Sequence, residues 1–380
     1  MRKIFNDIYA GKTVLITGHT GFKGSWLSIW LKSMGASVIG YALPPATVPN
    51  MFEATEIGKH LINIEGDVRD TQHLEQVMAN YEPDMVFHLA AQPIVRLSYE
   101  FPHLNYETNI MGTVNLLEAV RKTDSVRVCT VITSDKCYEN KEWPYAYREN
   151  DPLGGYDPYS ASKACAELVV GSYQKSFFNP DEYNQHKTAL SSVRAGNVIG
   201  GGDWGPDRIV PDCIRALAKN NQITVRNPNA IRPWQHVLEP LSGYLWLTAL
   251  MWNQGSTYSS AWNFGPSNFD NLTVGQLVDK IVKYWGSGTW QNASAQNGKQ
   301  VHEANYLKLD CTKSQNLLGW SPVYRIDEAI ETTLDWYRTY YASNENIFDL
   351  TLAQIQTYVK KAQEIGLSWA GKGDSNDSKR

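Results

Sequence analysis
The chain has 380 residues, room for one large or two medium domains and a sizeable core. Hydrophobic residues at 42% and charged residues at 19%, with 28 Gly and 17 Pro, exclude collagen-like and disordered classes. A net charge of −4 gives no basic excess for a polynucleotide. The five cysteines, at 129, 137, 165, 213 and 311, contain no Cys-x-x-Cys, so neither a disulfide framework nor a zinc ribbon is expected. The start, Met1-Arg2-Lys3 before Ile4-Phe5-Asn6-Asp7, lacks the apolar run of a signal peptide. The most apolar stretch, Tyr244 to Trp252, is well short of the roughly 20 residues of a membrane span. A folded, soluble, cytoplasmic protein is expected, with no nucleic-acid or membrane partner.

The first 135 residues alternate short β-branched runs with helical patterns. Strands are predicted at 14–16, 38–39, 61–64, 85–87 and 126–133, with a sixth at 189–193. Helices are predicted at 25–34, where Gly35 takes the C-terminal cap position, at 71–80 and at 108–122. Such alternation means βαβ units and a buried parallel sheet, an α/β fold of the doubly wound Rossmann type. After Arg194 the character changes. Gly200-Gly201-Gly202, Pro206, Pro211, Pro228 and Pro233 break the alternation. Helices follow at 236–252, 273–285 and 327–341, and a last strand at 260–264. The expected organisation is a Rossmann domain of 1–195 plus about 236–264. A smaller, mixed substrate-binding domain takes 196–235 plus about 265–365, and 366–380 is a flexible tail, small and polar from Lys372.

The predicted strand at 14–17 runs into Gly18-His19-Thr20-Gly21-Phe22-Lys23-Gly24 and then a helix. This is the strand–turn–helix setting of a dinucleotide fingerprint. Gly18 permits the tight turn, Gly21 lets backbone approach a pyrophosphate, and Gly24 lets helix and strand pack closely. The helix N-terminus then faces the anion. The second predicted strand ends at Gly40-Tyr41 without the acid that usually holds ribose hydroxyls, and without an Arg for a 2′-phosphate, so the residues leave NAD and NADP both open. Asp67-Val68, after the third strand, is a candidate adenine contact.

Tyr159-x-x-x-Lys163 falls at the start of a predicted helix, with Asp157 as its N-cap and Pro158 in its first turn. Four-residue spacing puts the lysine one turn from the tyrosine on the same face. An ammonium near the phenol is expected to lower its pKa from about 10 towards neutrality. Thr133-Ser134-Asp135-Lys136 ends the fifth strand at the sheet edge where ligands bind. Ser134 is placed to hold a substrate hydroxyl beside Tyr159.

These motifs stand with His88-Leu89-Ala90-Ala91-Gln92, Asn109-x-x-Gly112-Thr113-x-Asn115-Leu116-Leu117-Glu118 and Arg194-x-x-Asn197-Val198-x-Gly200. Together, over roughly 10 to 340, the chain resembles the extended short-chain dehydrogenase/reductases, and within them the sugar-nucleotide 4,6-dehydratases. Gly18 to Trp26 and Ser134-Asp135-Lys136-Cys137-Tyr138 resemble the CDP-glucose 4,6-dehydratase group. The resemblance implies NAD as cofactor. It implies Gly18, Thr20, Gly21, Phe22, Lys23, Gly24, Asp67, Val68, Leu89, Ala90, Ala91, Asn109, Thr133, Tyr159 and Lys163 as cofactor contacts. It also implies Ser134, Asp135, Lys136, Tyr159 and Lys163 as catalytic residues, and CDP-glucose as substrate.

The implied chemistry takes the C4 hydroxyl proton to Tyr159 while hydride passes from C4 to NAD. The C5 proton is then lost, the C6 hydroxyl leaves as water, and hydride returns to C6. Elimination needs an acid and a base side by side, which is what Asp135-Lys136 offers. The dTDP-glucose enzymes of the family have Asp-Glu there. A lysine with pKa about 10.4 is a poor base, since holding it neutral at about pH 7 costs about 4.6 kcal/mol. Transfer of one proton from Lys136 to Asp135 gives a neutral acid beside a neutral base, which a dry site favours.

Arg194, Arg208 and Arg232 lie in or beside the Gly/Pro-rich half, and a diphosphate suits arginine's bidentate geometry. By resemblance Arg232 is a diphosphate ligand and Asn197 a substrate contact, with Arg208 a similar candidate. His302-Glu303 shows no metal spacing, and no metal is expected. A homodimer or homotetramer through 108–122 and 158–177 is implied by resemblance. The alternatives are an NAD-dependent 4-epimerase, a 4,6-dehydratase of another nucleotide sugar, or a non-catalytic dinucleotide sensor.

Overall fold
The computed structural model describes residues 4–267, 272–293, 306–342 and 345–371. Its centre is a seven-stranded sheet. The strands are β1 (Thr13–Thr17), β2 (Ser37–Ala42), β3 (Ile62–Glu65), β4 (Met85–His88), β5 (Val128–Ile132), β6 (Ala189–Arg194) and β7 (Ala261–Asn263). All pair in parallel, in the order β7-β6-β5-β4-β1-β2-β3. The order reverses direction beside β1, and ligands of such sheets bind where that happens, beyond the strands' carboxyl ends.

Period-two alternation sorts the strand side chains between two cores. Leu15, Ile39, Val86, Cys129, Val131 and Leu190 face one side with Leu74, Val77, Leu116 and Leu117 of helices Thr71–Tyr81 and Gly112–Arg121. Val14, Ile16, Val38, Phe87, Val128 and Ile132 face the other, with Trp26 and Trp30 of α1 (Phe22–Ser33) and the helix Leu238–Gln254. That last helix returns from the second half and lies on β5, where Thr130 and Thr248 hydroxyls meet at 2.8 Å.

The rest of the second half is built from short pairings. Val198–Ile199 pairs with Gln235–His236, Ile223–Val225 with Trp290–Asn292, and Ile231–Arg232 with Leu272–Thr273. Its helices are Ile209–Leu217, Val274–Trp285 and Ile326–Ala342.

Two boundaries differ from expectation. The helix Ile347–Glu364, assigned by sequence to the second domain, lays Tyr358 edge-on to Trp30 of α1 at 5.9 Å. The segment after it does not begin as a tail. Ser368–Ala370 forms a turn of 3-10 helix with Trp369 buried and stacked on Phe5 at 5.0 Å. Burying an indole outweighs the ordering cost of so short a segment. The polar stretch from Lys372 lies outside the described residues, as do His302 and Glu303.

Candidate active site
Loops from the carboxyl ends of β1, β4, β5 and β6 converge on one edge. The β1 loop turns at Gly18, whose φ is +76°. A Cβ there would come within 2.7 Å of the Ala90 backbone N, so glycine lets the β1 and β4 loops touch. Leu89 N donates to Thr17 O at 3.1 Å, and Ala90 N to Thr17 Oγ1 at 3.2 Å. A Cβ on Gly24 would overlap the Gly18 carbonyl, so the third glycine serves packing of helix against loop. Gly21 is exposed and is the N-cap of α1, which has no side-chain cap, so the first-turn N–H groups stay open to an anion. Thr20 Oγ1 donates to Leu43 O at 2.8 Å, tying this loop to the end of β2. Phe22 lies against the segment at Gly200, where an added Cβ would sit 3.1 Å from its ring.

At the end of β2, His19 fills the space over Gly40, and its Nε2 meets Asn63 Oδ1 at 2.7 Å. Asp67 holds Arg69 through a 2.6 Å ion pair and caps the Arg69 N–H at 2.9 Å. Val68 is buried, with its carbonyl accepting from Asn115 Nδ2 at 3.0 Å.

Asp157 caps the helix Pro158–Ser176 by accepting from Ser160 N at 2.9 Å, and Pro158 is its first residue, as predicted. This helix delivers Tyr159 and Lys163 to the carboxyl end of β5, both buried. Ser134, the residue after Thr133, accepts from Lys136 N at 3.2 Å and donates to Asp135 Oδ1 at 3.0 Å. Asp135 is buried, and a Cβ on Gly196 would overlap its Oδ2. Lys136 is half-buried on the same turn, and no ion pair joins it to Asp135 among the described residues. The surface ion pair that adjacent opposite charges suggest does not form.

The phenol departs from expectation. Burial pushes Tyr159 up to about 12, with the Ser134 hydroxyl opposing it, rather than towards neutrality. Desolvation of the phenolate outweighs the lowering effect of the Ser134 hydroxyl and of Arg208. Lys163 itself is lowered by burial to about 8, with Glu167 opposing. Its Nζ reaches Ile132 O at 3.4 Å, which leaves ammonium donors to spare. Lys23 is likewise lowered to about 8, by burial first and then by Arg208, with Asp135 acting against them. Lys23, Lys163, Arg208 and Asp135 therefore share one electrostatic neighbourhood. That adds Lys23 to the catalytic edge, where the spacing alone put it only in the loop.

Two expected contacts turn out to be scaffolding. Asn109 is buried and wholly engaged. Its Oδ1 accepts from Gln92 N at 2.8 Å, and its Nδ2 donates to Gln92 O at 3.1 Å and Ser162 Oγ at 2.9 Å. It thus joins the β4 loop, with Ala91, to the helix bearing Tyr159. Thr133 donates to Glu167 Oε1 and, at 3.2 Å, to Val193 O. Glu167 also pairs with Arg194 at 2.7 Å, both deeply buried, and Arg194 donates to Tyr138 Oη at 2.7 Å. Arg194 is therefore not free to meet a diphosphate.

Arg208 pairs with Asp203 at 2.9 Å yet remains about a third exposed. Arg232, half-buried, donates to Ile231 O at 3.0 Å. Asn197 follows β6 in a left-handed conformation, φ +41°, with a buried Nδ2 that has no protein partner. An uncapped α1, an ammonium with spare donors and this orphaned amide fit a dinucleotide beside a polar co-substrate. Among the described residues no cluster of His, Cys, Asp and Glu has the makings of a metal site. None of their helices is long and apolar enough to cross a membrane.

A doubly wound parallel sheet carrying this edge has the architecture of a dinucleotide-binding protein of the Rossmann type. The chain belongs to the family described as GDP-mannose 4,6 dehydratase, whose family model matches residues 15–333. It is 51% identical over 356 residues, 94% of this chain and 98% of the relative, to a CDP-glucose 4,6-dehydratase of Salmonella typhimurium. It is 26% identical over 353 residues to a dTDP-glucose 4,6-dehydratase of Xanthomonas campestris pv. campestris, covering 89% of this chain and 96% of that protein. Solved structures share the fold. UDP-glucose 4-epimerase of Thermotoga maritima with UDP-glucose superposes with a TM-score of 0.73 at 21% identity, over 86% of this chain and 99% of that one. dTDP-glucose 4,6-dehydratase of Bacillus anthracis in complex with NAD gives 0.70 at 21%, over 90% and 100%.

Proposed function
We propose that this chain is an NAD-dependent CDP-glucose 4,6-dehydratase, a hydro-lyase that forms CDP-4-dehydro-6-deoxy-D-glucose and water. The observation that carries the reading is Asp135 and Lys136 on one turn beside Ser134 and Tyr159, at the edge where the sheet presents ligands. The 51% relative points to the same chemistry and to the cytidine nucleotide.

In this reading the α1 N-terminus at Gly21, Phe22 and Lys23 receives the pyrophosphate. Asp67 and Val68 border the adenine, and Lys163 holds the nicotinamide ribose. When bound, NAD would supply the acceptor for hydride from C4 and the source of hydride for C6. The positive charge of a bound nicotinamide would oppose the effect of burial on Tyr159, whose ionised phenol would then take the C4 hydroxyl proton, with Ser134 bonded to the same oxygen. The resulting ketone acidifies the C5–H bond. Lys136 removes that proton while Asp135 protonates the departing C6 hydroxyl, and the Lys136 ammonium gives its proton back to C5 as hydride reaches C6. Asn197, Arg208 and Arg232 hold the sugar and diphosphate. A 4-epimerase has no use for the acid–base pair.

The same reading makes the chain a cytoplasmic enzyme of deoxysugar biosynthesis and a homodimer or homotetramer. Exposed Met111 and Leu168, on the helical stretches expected to pair, support the assembly.

The test is incubation of the purified protein and NAD separately with CDP-, dTDP-, UDP- and GDP-hexoses. Formation of a 4-keto-6-deoxy sugar is followed by its alkaline absorbance, and loss of water by mass. Product from CDP-glucose is the expected result. Product from another nucleotide only corrects the specificity. No product from any, with NAD bound, overturns the dehydratase reading.

A further inference from the structure
Behind the catalytic edge lies a group of polar atoms that the proposed chemistry does not use. Thr248 on the helix Leu238–Gln254 meets Thr130 of β5. Tyr244 is one turn nearer the helix N-terminus on the same face, and that turn leads towards the carboxyl end of β5. Ile132 and Ser134 share the Thr130 side of the strand. Tyr244 therefore stands under the Ser134-Asp135 turn. Its ring packs edge-on against Phe264 at 5.8 Å. Gln235 Nε2 donates to Phe264 O at 3.0 Å and to Gly196 O at 3.2 Å, and Gly196 abuts Asp135 Oδ2.

Three deeply buried atoms in this neighbourhood have no protein partner: Asp135 Oδ2, Tyr244 Oη and Gln235 Oε1. Asp135 and Gln235 both adjoin Gly196, and the Tyr244 phenol lies within the electrostatic reach of Asp135 and Tyr159. Buried polar atoms without protein partners are rare and are normally satisfied by ordered water. The set is complementary to one water. Two acceptors, the carboxylate and the amide oxygen, take its two hydrogens, and the phenol donates to its oxygen. The two donations of Gln235 Nε2 fix which amide atom is the oxygen.

Resting on the dehydratase reading, we propose that Tyr244 is a positioning residue for Asp135, acting through one buried water that Gln235 shares. The water holds Oδ2 away from substrate and turns Oδ1, beside Ser134, towards the sugar. When Asp135 gives its proton to the C6 hydroxyl, the carboxylate left behind already has a hydrogen bond in place. Oxidation at C4 does not use Asp135, so the effect is confined to elimination.

The test is Tyr244→Phe, with Ser191→Ala as the control. Ser191 is a buried hydroxyl without a protein partner that lies opposite Thr130, back from the edge. CDP-6-deoxyglucose, which has no C6 hydroxyl to lose, reports C4 oxidation alone through NADH absorbance. Tyr244→Phe is expected to oxidise it at the wild-type rate. Its turnover of CDP-glucose falls roughly ten- to hundredfold, the worth of a hydrogen bond to a charged group, with KM unchanged. Ser191→Ala behaves as wild type in both assays. Equal loss in the two reactions, or no loss in either, overturns the proposal. High-resolution crystals judge the water independently of activity. Density bonded to Asp135 and Tyr244, absent in Tyr244→Phe, is expected, and its absence from the wild type overturns the proposal. A wild type inert towards CDP-glucose would instead sink the substrate reading and leave this crystallographic result standing.

Discussion

Lys163→Met is expected to make the protein more stable and nearly inactive. Lys163 is only 6% exposed, and burial lowers its pKa from 10.5 to about 8. That drop costs the folded protein about 3 kcal/mol while the ammonium is charged, at about 1.4 kcal/mol per pH unit. Below about 8 the lysine is protonated folded and unfolded, and the folded state bears the whole cost. Between about 8 and 10.5 the unfolded chain binds more protons, so wild-type stability rises with pH. Above 10.5 the cost is gone. Methionine is of similar length and carries no charge. The variant's advantage in the cofactor-free protein should therefore be near 3 kcal/mol at about pH 7 and vanish above 10.5. Urea denaturation of both proteins across that range gives the difference directly. Turnover of CDP-glucose should fall by roughly two to four orders of magnitude. An advantage independent of pH, or a variant less stable than wild type at neutrality, refutes the electrostatic argument.

Glu167→Gln leaves Arg194 buried opposite a neutral amide, and should cost about 3–5 kcal/mol by thermal or urea unfolding. A loss below about 1 kcal/mol would show the pair to be solvated after all. Lys136→Met should abolish solvent exchange of the substrate's C5 hydrogen while leaving CDP-6-deoxyglucose oxidised at C4. Exchange at the wild-type rate would remove Lys136 as the base. In Gly24→Ala the new methyl collides with the Gly18 carbonyl, so NAD affinity measured by fluorescence titration should fall tenfold or more. Unchanged affinity would mean that the loop moves freely.

The sheet is legible where its inner strands are buried on both faces and so read as continuous apolar runs. Val14-Leu15-Ile16 and Met85-Val86-Phe87 are clear cases. The catalytic helix was legible from its cap, Asp157-Pro158, and its four-residue spacing. The helix Ile347–Glu364 lies outside the predicted elements, although its buried Ile355, Tyr358, Val359 and Ala362 follow helical spacing. The buried Trp369, four residues past the helix end's Ile365, was the available sign that the chain was still packing.

The site divides along a different line. Spacing along the chain finds groups held by one element, such as Tyr159 with Lys163 or Gly18 with Gly24. It does not find groups brought together by different elements, and here those decide the electrostatics. Tyr159 and Lys163 share a helix face, yet burial sets the Tyr159 phenol, with the Ser134 hydroxyl and Arg208 only opposing it. Asn109 and Thr133 have residue types suited to a ligand, yet a buried amide or hydroxyl must find partners, and here the protein supplies them. Asp135, Asn197 and Tyr244 are the reverse case: buried polar atoms for which the protein supplies no partner. The rule that makes Asn109 a brace marks these three, among the buried polar atoms without partners, as the ones at the catalytic edge open to a ligand or a water. In the proposed reading Asn197 meets substrate, and Asp135 and Tyr244 meet the water that sets the acid.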